Sequence, residues 1–412
     1  MRRRSFMGGL LGAGAVTVPG LAAAASAKKR PRVGVVGGGI LGASIAVHLI
    51  DAGADVVVFE KNTPASGATQ ASLAWINAST VNTHYRDLRL SSMAAWRELD
   101  KRLRLGVIWG GSISWSNIPA KVDNLKKREV ALRNTAADPL VVDARKITEL
   151  SPCIAPGDTG MGFFLPHDGH IDPVDVTLRM LSYAKTKGAQ VIYPCAITGI
   201  DMVDGAVKVV KTSQGEFPVD QLVVAAGADT PGLMDMLGFK LTINTVPGLN
   251  VHTKVLPHQT DMVYDVSSAL EFKQMPNGEA VVIYVGGPPK QLPVHDPVYG
   301  RAITAYPSPE LAAMHAKSLL GKAAVYWPAL ANAEPDKIRV GFRPVPADGL
   351  PVIGPVPGAK NAYVVATHSG VTLAPILGQH AAAEVLGGAP AAILAPYRPD
   401  RFTGEVKAGS EG

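Results

Sequence analysis

Three glycines, Gly37, Gly39 and Gly42, form the pattern G-x-G-x-x-G, a spacing suited to holding a pyrophosphate. The first glycine permits a tight turn, the second lets backbone approach the anion, and the third lets the following helix pack closely. The N-terminus of that helix offers amide donors and partial positive charge to the phosphates. Context raises the pattern above chance. Arg32 to Val36 reads as a short buried strand, Ile40 to Ala52 as a helix ending near Gly53, and Asp55 to Phe59 as a second strand, so the glycines fall at the first turn of a βαβ unit. Glu60 closes the second strand 18 residues after Gly42, where an acid accepts the hydroxyls of a ribose lacking a 2′-phosphate. The alternative is a glycine-rich turn without nucleotide; strand, helix and acid together weigh against it.

The fingerprint alone does not separate FAD from NAD. Its place near the start of the chain leans to FAD, and no second G-x-G-x-x-G follows to hold a separate nicotinamide.

Other elements must bring distant residues to this turn. Apolar positions Leu90, Met93, Ala94 and Leu99 predict an amphipathic helix over 86–103. Asp172 and Pro173 predict an N-cap and first turn, with Val174, Leu178 and Leu181 on one face and the end at Gly188. Residues 190–193 and 221–226 read as strands, and 241 to about 330 as an antiparallel sheet with long loops. A strand at 362–366 leads through His368-Ser369-Gly370 to an Ala-rich helix expected over 378–386. The expected organisation is therefore a discontinuous nucleotide domain, 31–85, 151–240 and 335–400, interrupted by a substrate domain at 86–150 and 241–334.

The 412 residues are 47% hydrophobic and 18% charged, which fits a globular chain and excludes disorder. Residues 1–27 have a charged start (Arg2, Arg3, Arg4), an apolar Gly/Ala-rich stretch and a small-x-small end at Ala25-Ser26-Ala27, the layout of a cleavable signal; Arg3-Arg4 resembles the twin-arginine type. Export to the periplasm or beyond follows as an expectation, and it disfavours a soluble nicotinamide partner. A membrane anchor is the alternative, disfavoured by Pro19 and the many glycines. Without those three arginines the net charge of +6 falls to +3, and no basic stripe points to nucleic acid. Cys153 and Cys195 either pair or remain two structural thiols; they offer no disulfide framework and no metal cluster.

Six blocks occur in order: Val35 to Gly42; Ser66-Gly67-Ala68-Thr69; Asp168-Gly169-His170-Ile171-Asp172-Pro173; Val223 to Ala228; Gly341-Phe342-Arg343-Pro344 with Asp348-Gly349, Pro351 and Gly354; and His368-Ser369-Gly370 to Leu373-Ala374-Pro375. Over about 32–390 this set resembles the D-amino-acid oxidase family, in its glycine-oxidase and monomeric-sarcosine-oxidase branch. The resemblance implies an α/β fold, with a Rossmann-like FAD-binding domain of the p-hydroxybenzoate-hydroxylase and glutathione-reductase type and a second, α+β mixed-sheet substrate domain. It implies oxidation of a small amino acid or secondary amine by hydride transfer to flavin N5. Oxygen or a quinone would be the electron acceptor, and a quinone would bring peripheral membrane contact.

Carried over by position, Ile40 and Leu41 would meet the pyrophosphate, and Glu60 and Lys61 the adenosine side. Ala68, Thr69, Leu73, Ala74 and Trp75 would line the pyrophosphate and flavin ring, and Ile197 the adenine. Ala226 and Gly227 would flank the nucleotide, and Ser369, Gly370, Val371, Thr372 and Leu373 would cradle the flavin's pyrimidine edge. Arg343 matches an arginine that clamps a substrate carboxylate, a task its planar fork suits; a salt bridge at the domain boundary is the alternative. His368 either tunes the flavin or takes a proton, or is a packed turn residue. Thr367 stands where the family more often has Gly, and the turn before Leu373 is about two residues shorter, so these contacts are expected to shift by a residue. The absence of Cys near this turn implies non-covalent FAD. His170, beside His167 and Asp168, reads as a turn residue and not a metal ligand.

Two rival readings stay open: oxidation of a 2-hydroxy acid, with His368 or His252 as base, and a flavin electron-transfer protein without its own substrate.

Overall fold

Short Val-rich segments bounded by Gly and turn residues form a parallel sheet buried on both faces. In the computed structural model, which describes residues 30–266, 269–284 and 308–403, its strands run in the order Val352–Pro355, Ala362–Ala366, Gln221–Val224, Arg32–Val36, Asp55–Phe59, Gln190–Ile192. All neighbours are parallel except the edge strand Val352–Pro355. The expected export signal at 1–27 lies outside the described residues.

The fingerprint helix, Ile40–Asp51, is buried along most of its length, packed between Pro173–Thr186 and the C-terminal helix Gly370–Val385. Its approach to the C-terminal helix is close: a Cβ on Gly378 would stand 2.4 Å from Ser44 Oγ, which donates to Ala374 O at 2.7 Å. Helix Pro173–Thr186 buries Val176, Thr177, Met180, Leu181 and Ala184, and leaves Leu178 exposed. The buried stripe is therefore set by the 176/180 and 177/181/184 rows, not by Leu178.

A second, eight-stranded sheet runs in the order Pro335–Pro346, Ile243–Val255, Glu279–Tyr284, Leu270–Gln274, Val263–Val266, Ser112–Ser116, Met161–Leu165, Leu140–Val142. It is antiparallel apart from the Val263–Val266/Ser112–Ser116 pair. Met161–Leu165 and Pro335–Pro346, which the sequence reading placed with the nucleotide-binding stretches, pair in this sheet. Inside the region expected to be sheet and loop, Pro309–Ala324 is a helix, capped by Ser308 Oγ accepting from Leu311 N at 3.2 Å and packed on the sheet through Ala316, Leu319, Leu320 and Ala323.

The C-terminal helix starts at Gly370, not at 378, and contains Pro375. Proline cannot donate to the carbonyl four residues back, here that of Val371. Trp96 Nε1, from the helix Thr83–Leu103, fills the gap, donating to Val371 O (3.0 Å) and Thr372 O (3.1 Å); Ser92 Oγ donates to Thr372 O at 2.6 Å. The two cysteines are both free thiols. His170 is fully buried, with Nε2 against Asp261 O at 3.1 Å, and burial first of all holds it well below the usual histidine range.

Candidate active site

At the fingerprint two glycines have no substitute. A Cβ on Gly42 would lie 1.9 Å from Gly37 O, and Gly37 has φ +111° with its Cβ position 2.4 Å from Ala225 O. Gly39 instead faces open space, with Thr69 Oγ1 alone nearby at 3.2 Å. No side chain caps the helix at Gly39, so its first amides lack intrahelical partners; Ile40 N donates to Thr69 Oγ1 at 3.2 Å. Glu60 accepts from Gly38 N (2.7 Å) and Asn62 N (2.9 Å), which pins the carboxylate beside the turn. Lys61 pairs with Asp229 at 2.6 Å across the exposed end.

A single cavity of about 880 Å³ starts here and continues between the sheets, near the upper end for ligand sites. Of the residues singled out from sequence, Gly37, Gly39, Ile40, Leu41, Glu60, Lys61, Ala68, Thr69, Leu73, Ala74, Trp75, Ile197, Ala226, Gly227, Arg343, His368, Ser369, Gly370, Val371 and Thr372 line it. Gly42 and Leu373 do not: the first lies under the turn, and the second is wholly in the core.

The far end is built around the start of the C-terminal helix. Ser369 makes no side-chain cap, so the amides of Gly370 to Thr372 begin the helix without intrahelical acceptors, beside the cavity. Arg89 fixes this turn, donating to Asn77 O (2.8 Å), Asn77 Oδ1 (2.7 Å) and Ser369 Oγ (3.2 Å). Thr372 Oγ1 donates to Trp75 O at 3.0 Å. Ala74, between the lining residues Leu73 and Trp75, is buried at φ +59°, a strained state for alanine that persists only where the surroundings hold it. His368 presents a solvent-accessible ring to the cavity, with Nδ1 3.0 Å from Ser369 Oγ; desolvation by the surrounding protein, then the charges of Arg89 and Arg343, push it down to about 4, so its ring is neutral at pH 7.

The second sheet supplies the remaining wall: Arg343 and Phe342 from Pro335–Pro346, Glu271 from Leu270–Gln274, Asp265 from Val263–Val266, and Ile283 and Tyr284. Arg128, from helix Pro119–Leu132, reaches Asp265 Oδ2 at 3.2 Å and Ser79 Oγ at 2.7 Å. Burial lowers Arg343 from its ordinary value while Glu271 pulls it back up. Sequence reasoning missed Arg89, Asn77, Arg128, Asp265, Glu271 and Asp229. A usable signal existed for two of them: Asp265 and Glu271 interrupt apolar strand runs, the mark of an inward charge.

These residues fit a dinucleotide: an anion turn that tolerates no Cβ at Gly37 or Gly42, an acid beside it, and a second set of helix-start amides at the other end of one cavity. The site is thus that of a dinucleotide-binding Rossmann protein, with one cavity running from the fingerprint into a charged chamber. The chain belongs to the DAO family of FAD-dependent oxidoreductases, whose model matches residues 32–384.

Among curated relatives, human mitochondrial dimethylglycine dehydrogenase is 25% identical over 397 residues, covering 93% of this chain; the chain spans only 46% of that protein. Glycine oxidase of Geobacillus kaustophilus is 25% identical over 386 residues, covering 91% of this chain and 98% of that one. Its crystal structure superposes with a TM-score of 0.79 at 23% identity, over 91% of this chain and all of the other, a likeness of fold. The expected α/β fold with a second mixed sheet, and the expected FAD, are borne out.

Proposed function

We propose that the chain oxidises the CH–NH bond of a small amino acid or secondary amine. The observation that carries this is Arg343 on the wall of the same chamber that receives the amides of Gly370 to Thr372 and the neutral ring of His368. Bound FAD supplies a hydride acceptor. The chain's own part is to hold and orient: the Arg343 fork grips the substrate carboxylate and fixes which face of the α-carbon is presented, while the helix-start amides would stabilise negative charge developing on a bound flavin. The relatives named above are called after glycine and dimethylglycine, in keeping with a small substrate. Anaerobic mixing with D-, L- and N-methyl amino acids should bleach the yellow flavin for at least one of them. Protein that stays yellow across that panel would sink this reading in favour of an electron-transfer role. Arg343→Ala should raise KM about 100-fold for substrates bearing an acid group and little for those without one.

A 2-hydroxy acid is the second reading, favoured by His368, which is held neutral and so is able to take a hydroxyl proton. Bleaching by hydroxy acids, abolished by His368→Gln, would select it. The electron acceptor is proposed to be oxygen or a quinone. Export by residues 1–27 remains a proposal from their sequence, tested by fractionating cells that carry the chain with Arg3 and Arg4 replaced by Lys.

A further inference from the structure

Asp265 and Glu271 face each other directly across the antiparallel pair Val263–Val266/Leu270–Gln274, and both line the chamber. Like charges directly opposite are unfavourable unless something compensates them. Asp265 is compensated: Arg128 lies 3.2 Å from its Oδ2 and Ser114 Oγ donates to the same oxygen at 3.1 Å. Glu271 is not. Among the described residues no donor bonds its carboxyl; only the charges of Asp265, Arg128 and Arg343 reach it, from the neighbouring strand, helix Pro119–Leu132 and strand Pro335–Pro346. Burial first, then Asp265, drives it well above the usual carboxylate range, and the two arginines only partly offset that. Glu271 is half-buried on the chamber wall, with no described side chain or amide bonded to its carboxyl. It lines the chamber that also holds Arg343.

We propose that Glu271 is the anchor for the cationic nitrogen of the substrate, so that the chamber takes a zwitterion with its carboxylate on Arg343 and its ammonium on Glu271. This rests on the amine reading above and narrows it: the preferred ligand carries both charges, and a plain carboxylic acid or hydroxy acid of the same size leaves the Glu271 carboxyl without a partner. Glu271 is here a specificity-determining residue, with Asp265 and Arg128 fixing its surroundings. Nothing in the assignment requires it to touch the cofactor.

The test is equilibrium binding to the FAD-loaded enzyme of two ligands of matched shape, 2-methylalanine, which has no α-hydrogen to lose, and isobutyrate, which lacks the amine. Binding is read from the perturbed flavin absorbance and from Trp fluorescence. Wild type should bind 2-methylalanine at least about tenfold tighter than isobutyrate, the scale of one charge-assisted hydrogen bond. In Glu271→Gln the preference should fall to within about twofold, with isobutyrate bound as well as before or better. A purely structural role would weaken both ligands together. The proposal is overturned if wild type binds the two alike, if Glu271→Gln keeps the preference, or if it weakens both equally. Should Glu271→Gln not fold, the wild-type pair of affinities decides by itself. Failure of the amine reading shows separately, as a flavin that no amine bleaches.

Discussion

Glu60 meets two demands with one carboxylate. It accepts the amides of Gly38 and Asn62, and it borders the cavity where a ribose would lie. An amide side chain has one acceptor oxygen to offer those two donors, so Glu60→Gln brings its NH₂ against a backbone N–H. Apoprotein of this variant should bind FAD about 10–100-fold more weakly, measured by quenching of FAD fluorescence on titration. Unchanged affinity would reduce Glu60 to a strut of the turn. Gly42 carries the opposite kind of requirement, since it does not line the cavity and cannot hold a Cβ 1.9 Å from Gly37 O. Gly42→Ala should cost at least about 3 kcal/mol in urea unfolding, because the clash is with backbone and not with a movable side chain.

At the level of elements, the joint between helices Thr83–Leu103 and Gly370–Val385 controls the far end of the site. Trp96 supplies the hydrogen bond to Val371 O that Pro375 cannot. Trp96→Phe should therefore cost about 1–3 kcal/mol through an orphaned carbonyl, in addition to lost packing. Pro375→Ala restores a donor in the helix itself, so Trp96→Phe should cost less in that background. A double-mutant cycle with no coupling would refute the link.

The same joint shows why part of the site was legible in sequence and part was not. The βαβ turn was readable because its glycines, strand and acid are local, and local sterics decide them. Pro375 misled: a proline normally marks a helix start or stop, and here a tryptophan 275 residues before Val371 in the chain bonds the freed carbonyl and makes it tolerable inside one. Arg89 was invisible for the same reason, as its partners Asn77 and Ser369 are joined only by tertiary packing. Arg343 and His368 were found by the ordered blocks, but Asp265 and Glu271 sit in the stretch where those blocks are loosest.

For the whole molecule, five histidines, His48, His170, His252, His368 and His380, are lowered from their ordinary value, each first of all by burial. The unfolded chain takes protons on these rings below about pH 6.5 while the folded chain resists them, so their effect is to lower stability as pH falls from 7 toward 5. Asp168, raised to about 7, and Glu271, also raised, act in the opposite sense, because the folded state holds their protons longer. Glu271→Gln removes one of the two opposing groups, so between pH 7 and pH 5 the thermal midpoint of this variant should change less favourably than that of wild type. Parallel profiles in the two proteins would refute the Glu271 contribution. The cavity itself draws its walls from Gly37 at one end of the sequence to Thr372 at the other. At a ribosomal pace of about 5–20 residues per second, about 17–67 s separate the emergence of those two walls. The phosphate turn therefore leaves the ribosome long before the amides that complete the far end, and firm cofactor retention belongs to the finished chain and not to the nascent one. Early exposure of the fingerprint to nucleotides is a window for weak, exchangeable binding only.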